Sequence, residues 1–254
     1  MMKGIDVAKW NGVIDWAKVK KAGVEFAVLK VIDKSNKTES SFVRNYAGAS
    51  AQGLPLDVYN YLYTITEAAA REAAKAVVNA LAGRKVGKVW ADVEDACLKN
   101  KGILLIRIIN TYKAVIEAAG YEFGVYTGLS FYNSYIKPYK DYIDCDFWIA
   151  RYPSTKDMII TMDPAVSKKP SISHNLWGWQ YSSKGKISGI SGYVDLDICY
   201  TKADSNGTMQ STTVYYPRYT GTSASIVAAL NAVGVNSSYA TRKSIAKENG
   251  ITGY

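Results

Sequence analysis

The sequence predicts an α/β fold, an irregular (β/α) barrel of about eight mostly parallel strands, plus a small C-terminal α-rich module. Short apolar segments alternate with segments of helical periodicity, which is the element order of a parallel barrel. The later segments between strands are too short for full helices, so the barrel is expected to be irregular. A polar stretch then sets the last residues apart. The predicted organisation is a barrel over residues 1–202, a linker over 203–213 and a module over 214–254.

Four strand and helix pairs are predicted in the first half of the chain. The strands are residues 4–8, 26–32, 57–63 and 88–94, and the helices that follow them are residues 16–22, 41–52, 66–82 and 103–119. Asp15 and Thr66 suit the N-caps of the first and third helices. A glycine directly follows each of the four helices, and glycine is the residue that most often ends a helix.

The second half is predicted to be less regular. Strands are expected at residues 123–126, 147–150, 176–181 and 193–198, with one short helix at residues 129–136. When such a barrel closes, the first and last strands become neighbours. Closure therefore brings residues that are far apart in the sequence to one end of the barrel.

Acidic residues mark the ends of several predicted strands. Asp92 and Glu94 alternate with apolar residues, so their side chains are expected on one face of the fourth strand. Asp6 lies on the first strand, and Asp195 or Asp197 lies on the last. Active sites of (β/α) barrels form at the C-terminal ends of the strands. Because glycosidases use paired carboxyl groups, one of which holds a proton, we predict a glycosidase-type site there.

Composition limits the other function classes. The formal net charge is +9, but the basic residues are scattered and no nucleic-acid-binding motif is present, so no nucleic-acid partner is expected. Three cysteines at wide spacings argue against a disulfide framework. One histidine, His174, leaves little scope for a His-rich metal site, and no metal or cofactor is predicted. The 20 Tyr and 6 Trp suit a carbohydrate site, although such residues also fill ordinary cores.

Five motifs, spread over residues 3 to about 202, resemble glycoside hydrolase family 25, the N-acetylmuramidase lysozymes that are often phage endolysins and bacterial autolysins. The motifs are Gly4-Ile5-Asp6-Val7 with Trp10-Asn11-Gly12 and Ile14-Asp15-Trp16; Asn45-Tyr46-Ala47 with Gly53-Leu54-Pro55; Val89 to Glu94; Phe147-Trp148-Ile149-Ala150-Arg151-Tyr152; and Trp179-Gln180-Tyr181 followed by Gly189-Ile190, Gly192 and Val194-Asp195-Leu196.

The resemblance implies cleavage of the β-1,4 bond between N-acetylmuramic acid and N-acetylglucosamine in peptidoglycan, with retention. It implies that Glu94 is the general acid and that Asp92 acts beside it, by orienting the substrate acetamido group or as the nucleophile. Asp6 and Asp195 would complete the acidic floor of the site. The implied sugar-binding aromatics are Tyr59, Tyr61, Tyr126, Tyr152 and Trp179.

The chain departs from the family pattern at three positions. Asp57 stands where the family usually has Gly, Asn60 where an aromatic residue or His is common, and Asp197 where Asn is usual. These departures leave the Asp-X-Glu pair intact and affect the expectation of fine substrate preference. The alternatives are a barrel that binds glycans without catalysis, and a hydrolase of another N-acetylhexosamine polymer such as chitin.

The two ends of the chain carry further expectations. The N-terminus enters a strand directly, and no apolar stretch of about 18 residues could span a bilayer. We expect synthesis in the host bacterial cytoplasm without a signal peptide, no membrane insertion, and action on the wall after release. In the tail, a short strand over residues 214–219 is predicted. Ser223 is expected to cap a helix that runs to residue 233, and Ser237 or Ser238 to cap a second helix that runs to residue 249. This segment resembles, more weakly, wall-targeting modules of clostridial-type endolysins. Its basic residues and tyrosines suit an anionic wall polymer, and its small size suggests that it docks on the barrel, self-associates or is an incomplete copy of a larger module.

Overall fold

The computed structural model describes residues 1–200, 221–232, 237–239 and 242. The chain divides into two compact units, Met1–Gln210 and Ser211–Tyr254. In the first unit, eight strands form a closed barrel in sequence order. They are β1 (Met2–Val7), β2 (Phe26–Lys30), β3 (Leu56–Tyr61), β4 (Lys88–Asp92), β5 (Glu122–Gly128), β6 (Asp146–Ala150), β7 (Leu176–Gly185) and β8 (Val194–Cys199). The predicted barrel is confirmed.

The direction of β8 sets this barrel apart from a fully parallel one. Strands β1 to β7 pair in parallel, whereas β8 is antiparallel to both β7 and β1. A short loop can connect antiparallel neighbours, so the chain needs no helix between β7 and β8. One consequence is that the start of β8, not its end, lies at the C-terminal end of the other strands.

Helices surround the first part of the barrel. They are α1 (Trp16–Lys21), α2 (Phe42–Ala51), α3 (Glu67–Leu81), α4 (Ile103–Ala118) and the short α5 (Leu129–Phe131), which continues into a π-helical turn and a 3-10 turn. The predicted caps are present, since Asp15 accepts from Lys18 N at 3.1 Å and Thr66 accepts from Ala69 N at 3.2 Å. None of the helices in the described ranges is long and apolar enough to cross a bilayer.

The apolar residues form two separate layers. The larger layer lies between the strands and the helices and includes Val89, Ala91 and Val93. The smaller layer fills the barrel interior with aromatic rings, among them Trp90. A Cβ on Gly124 would lie 2.2 Å from Trp90 Cζ3, so the interior needs glycine at this point of β5. The alternation predicted for residues 88–94 is therefore present, although β4 itself ends at Asp92 and Glu94 lies beyond it.

The second unit contains α6 (Ile226–Ala232), in which Leu230 is buried. The prediction made Ser223 the cap of this helix, but Ser225 Oγ accepts from Ala228 N at 3.4 Å, so Ser225 occupies the capping position. The predicted linker over 203–213 and the strand over 214–219 lie outside the described residues, as does most of the helix predicted over 237–249.

Candidate active site

Strand register brings the predicted carboxylates to one end of the barrel. Asp6 of β1 is the direct partner of Asp195 of β8. On the other side, Asp92 of β4 pairs with Tyr61 of β3 and with Tyr126 of β5. These positions are the C-terminal ends of the parallel strands, so the expected end of the barrel carries the acids.

One detail of that expectation is wrong. The acid of the last strand was expected at the C-terminal end of that strand. Asp195 is instead the second residue of β8 and reaches the site because β8 runs in the opposite direction. Asp197 comes later in β8 and lies deeper in the barrel, opposite Gly4.

Glu94 follows the end of β4 on a segment that leaves the sheet. Val93 N donates to Tyr126 O at 2.8 Å, and Thr127 Oγ1 donates to Val93 O at 2.6 Å, so the chain is fixed just before Glu94. The side chain is half-buried and borders a cavity with Tyr152 and Arg151. Burial raises the Glu94 pKa, and the nearby charge of Asp95 raises it further. A carboxyl group in this setting holds a proton longer than an exposed glutamate.

The other three carboxyl groups have raised pKa values for the same main reason. Burial, and then the charge of Glu94, raises the pKa of Asp92 well above its usual range, while Lys30 opposes the shift. Burial and Glu94 raise the pKa of Asp195 to about 6. Burial and Asp195 raise the Asp6 pKa. Within the described part of the chain, no ion pair joins any of the four to a lysine or arginine.

Gln180 connects Asp6 to two of the predicted tyrosines. Its Nε2 donates to Asp6 Oδ2 at 2.6 Å, and its Oε1 accepts from Tyr126 OH at 2.8 Å and from Tyr152 OH at 2.5 Å. Gln180 was not among the predicted site residues, although it lies in the Trp179-Gln180-Tyr181 motif. Because successive side chains of a strand point to opposite faces, Gln180 lies on the other face of β7 from Trp179 and Tyr181. This alternation is the signal that could have identified Gln180.

Trp179 of the same motif does not reach the site. It is 1% exposed, belongs to the layer between strands and helices, and donates from Nε1 to Arg151 O at 2.7 Å. This position disagrees with a direct sugar contact. The expectation rested on residue type, and an aromatic ring can be buried on either side of a barrel strand.

The four predicted tyrosines lie at the mouth. Tyr59 borders a cavity of about 230 Å³ with Asp6 and Asp195. Tyr61 OH donates to Asp95 Oδ2 at 3.3 Å. Tyr126 and Tyr152 meet at Gln180, as described above.

Two further residues at the mouth were not predicted. Lys30 Nζ lies 5.8 Å from the ring centre of Tyr59 and 5.7 Å from that of Tyr61, which suits a cation–π contact. Trp10, 82% exposed, borders the cavity next to Asp6. Its exposure was not visible in the sequence, where Trp10 only formed part of a motif. No group of three or more potential metal ligands was found among the described residues.

The geometry agrees with comparisons to known proteins. A family model described as Glycosyl hydrolases family 25 matches residues 5–190. The autolytic lysozyme of Clostridium acetobutylicum is 31% identical over 201 residues, which cover 77% of this chain and 55% of that protein. Lysozyme M1 of Streptomyces globisporus is 26% identical, over 76% of this chain and 66% of that protein. The chain thus spans little more than half of the first relative and about two thirds of the second.

A solved structure supports the fold. The catalytic domain of endolysin ply40 from bacteriophage P40 of Listeria monocytogenes superposes with a TM-score of 0.64 at 24% identity. The match covers 78% of this chain and 93% of that one.

Proposed function

Because this chain belongs to glycosyl hydrolases family 25, we propose that it hydrolyses peptidoglycan at the β-1,4 bond between N-acetylmuramic acid and N-acetylglucosamine, with retention. The observation that carries the proposal is the group of four carboxyl residues at the barrel mouth, with no ion pair to a cation among the described residues. Two similar proteins that bear the name lysozyme support the substrate class.

Glu94 is the proton donor in this proposal. It borders the open cavity, and its raised pKa keeps a proton available for the leaving glycosidic oxygen. After the leaving group departs, the same carboxylate takes a proton from water, as retaining glycosidases require.

Asp92 acts on the substrate beside Glu94. Its Oδ1 is buried and has no hydrogen-bond partner among the described residues, so it is free to accept from a substrate acetamido N–H. Asp6 and Asp195 supply negative charge where positive charge develops on the sugar ring. Tyr59, Tyr61, Tyr126 and Tyr152 contribute aromatic surface and hydroxyl groups, and Gln180 fixes two of them.

The new ends of the digested glycan test the proposal. Purified walls are digested, reduced with borohydride and analysed by mass spectrometry. Reduced muramic acid at the new ends is the expected result, whereas reduced glucosamine would indicate a glucosaminidase. Chitin is assayed in parallel, and cleavage of chitin alone would assign a different polymer. Binding to walls without cleavage would identify a glycan-binding barrel.

We further propose that the second unit, residues 211–254, binds the wall or associates with a second copy. Arg218, Arg242, Lys243 and the nearby tyrosines suit an anionic wall polymer by their charge and type. A chain ending at residue 210 is expected to cleave soluble glycan fragments normally but to sediment less with walls. Equal sedimentation would exclude wall binding by this unit, and sedimentation equilibrium of both proteins would then test self-association.

A further inference from the structure

Asp197 is a buried carboxyl group that the proposed reaction does not use. It lies in β8 opposite Gly4 of β1 and Gln180 of β7, and it is 0% exposed. Its Oδ1 accepts a hydrogen bond from Trp148 Nε1 at 3.0 Å. The carboxyl group therefore lies inside the barrel, below the mouth.

The second oxygen of Asp197 has no hydrogen-bond donor among the residues that the structure describes. No hydrogen-bond partner reaches Oδ2 from the described residues, although a buried carboxylate oxygen without a donor is costly. Asp6 is the direct partner of Asp195, so Asp197, two residues further along β8, is the diagonal neighbour of Asp6 on the same face and is placed to share a hydrogen bond with it. Two ionised carboxylates cannot form that bond because neither has a proton to donate. A single proton held between the two side chains supplies the missing donor.

Asp57 is a matched case in the same chain. It is also fully buried, and its Oδ2 accepts from an indole, Trp90 Nε1, at 2.8 Å. Its Oδ1, however, accepts from the backbone N–H of Lys88 at 2.8 Å. Burial raises the Asp57 pKa to about 7, while these two hydrogen bonds and the Lys88 charge oppose the shift. Both oxygens of Asp57 thus have donors that suit a carboxylate, whereas the described part of the chain supplies a donor to one oxygen of Asp197.

We propose that Asp197 keeps its proton and donates it in a hydrogen bond to Asp6, which is the charged member of the pair. Two features stabilise the ionised form of Asp6: its Oδ2 accepts a hydrogen bond from Gln180, and it lies closer to the mouth than Asp197 does. Asp197 is then a positioning residue that fixes the Asp6 carboxylate. The positioning role rests on the proposed function, because that function makes Asp6 a residue of the active site. The protonation of Asp197 does not depend on the proposed function.

The groups that face Asp197 favour the neutral form. β1 contributes Asp6, β7 contributes Gln180 as the direct partner, and β8 itself contributes Asp195 and Cys199 on the same face. All of these are acidic or neutral, and the group from β6 that contacts Asp197 is the Trp148 indole N–H. No ion pair to Asp197 occurs in the ranges that the structure describes. Burial, and then the charges of Asp6 and Asp195, raises the Asp197 pKa well above its usual range.

This arrangement makes stability depend on pH in a defined direction. An aspartate in the unfolded chain has a pKa of about 3.9 and loses its proton earlier than Asp197 does. Between the two pKa values the folded state binds more protons than the unfolded state, so stability falls as pH rises through that window. Ionised Asp197 would also place a second negative charge beside Asp6.

Two substitutions test the hydrogen bond. In Asp197→Asn, the amide oxygen still accepts from Trp148 and the amide N–H still donates to Asp6. We expect this variant to keep the wild-type hydrolysis rate within about threefold, and Asp197→Leu to lose about tenfold or more, since it removes the donor. As pH rises, the melting temperature of Asp197→Asn should fall less than that of the wild type. In the pH profile of the hydrolysis rate, the loss of activity at alkaline pH should occur at a higher pH in this variant.

Infrared difference spectra test the proton directly and need no activity. At a pH well above the Asp57 pKa of about 7, the spectrum of the wild type minus that of Asp197→Asn should contain the carbonyl band of a neutral carboxylic acid. Wild type minus Asp57→Asn should contain carboxylate bands. Carboxylate bands from Asp197 would overturn the proposal, as would a folded but inactive Asp197→Asn variant with an active wild type. If the wild type hydrolyses no wall, the proposed function fails while the spectra still decide the state of Asp197.

Discussion

The two ends of the barrel differ in whether their buried carboxyl groups are paired with a cation. At the N-terminal end of the strands, Lys88 of β4 forms ion pairs with Asp146 of β6, at 3.0 Å, and with Glu122 of β5. The Lys88 side chain is 3% exposed and that of Asp146 is 0% exposed. At the C-terminal end, Asp6, Asp92, Glu94 and Asp195 cluster, and none of them forms an ion pair with a cation among the described residues.

The difference separates a structural role from a chemical one. Burial alone would lower the Lys88 pKa, but the charges of Asp146 and Glu122 outweigh it and raise that pKa, so the cation persists and compensates its partners. At the mouth, burial and mutual repulsion raise carboxyl pKa values with only partial opposition from Lys30. Groups that hold protons in this way can exchange them with a substrate.

The largest expected effect comes from removing the acid at the mouth. Glu94→Gln keeps the side-chain shape but cannot protonate the leaving oxygen, so the hydrolysis rate should fall by about 10²–10⁴-fold. Turbidity loss of purified walls measures the rate, and circular dichroism checks the fold. Glu122→Gln at the opposite end is the matched control and should retain activity. A Glu94→Gln rate above about a tenth of wild type would exclude Glu94 as the acid.

Removing the Lys88 ion pairs at the N-terminal end of the strands should reduce stability rather than activity. Lys88→Met leaves the Asp146 carboxylate buried without its cation, which should cost about 3–5 kcal/mol of unfolding free energy. Urea denaturation measures the loss. Lys75→Met is the control, because Lys75 pairs with Glu72 at 2.9 Å on the surface and should cost less than about 1 kcal/mol. Similar losses in both variants would contradict the distinction between the two ends.

Sequence patterns predicted the alternation and the clustered acids but not the direction of β8. Alternation put Trp90 on one face and Val89 on the other, and the structure confirms that separation. Alternation does not reveal which face is inside, because both faces of these barrel strands are buried. Gln180 and Trp179 illustrate the limit, since the polar residue lies at the mouth and the aromatic residue lies outside the barrel. The Lys88 ion pairs were also missed, because they join the first residues of three strands far apart in sequence.

A smaller effect should appear in the titration of the remaining acids at the mouth. The Glu94 charge contributes to the Asp195 pKa of about 6, so Glu94→Gln should lower that pKa. Carbon-13 NMR of labelled aspartate carboxyl groups can follow the change. Because coupled groups titrate as a set, the whole set of mouth resonances should move to lower pH. An unchanged Asp195 titration would mean that the two carboxyl groups do not interact.

The smallest expected effect distinguishes the two tryptophans of the family motifs. Trp10 is exposed at the cavity beside Asp6, and loss of one aromatic contact is worth about 0.5–1.5 kcal/mol, so Trp10→Ala should raise KM by about 2- to 10-fold with kcat nearly unchanged. Trp179→Phe removes the hydrogen bond to Arg151 O and leaves a small void in the outer layer, so it should cost about 1–3 kcal/mol of stability and leave KM unchanged. Steady-state kinetics on soluble glycan fragments, with urea denaturation of both variants, measures each quantity. A raised KM for Trp179→Phe at full stability would restore Trp179 to the site, and an unchanged KM for Trp10→Ala would remove Trp10 from it.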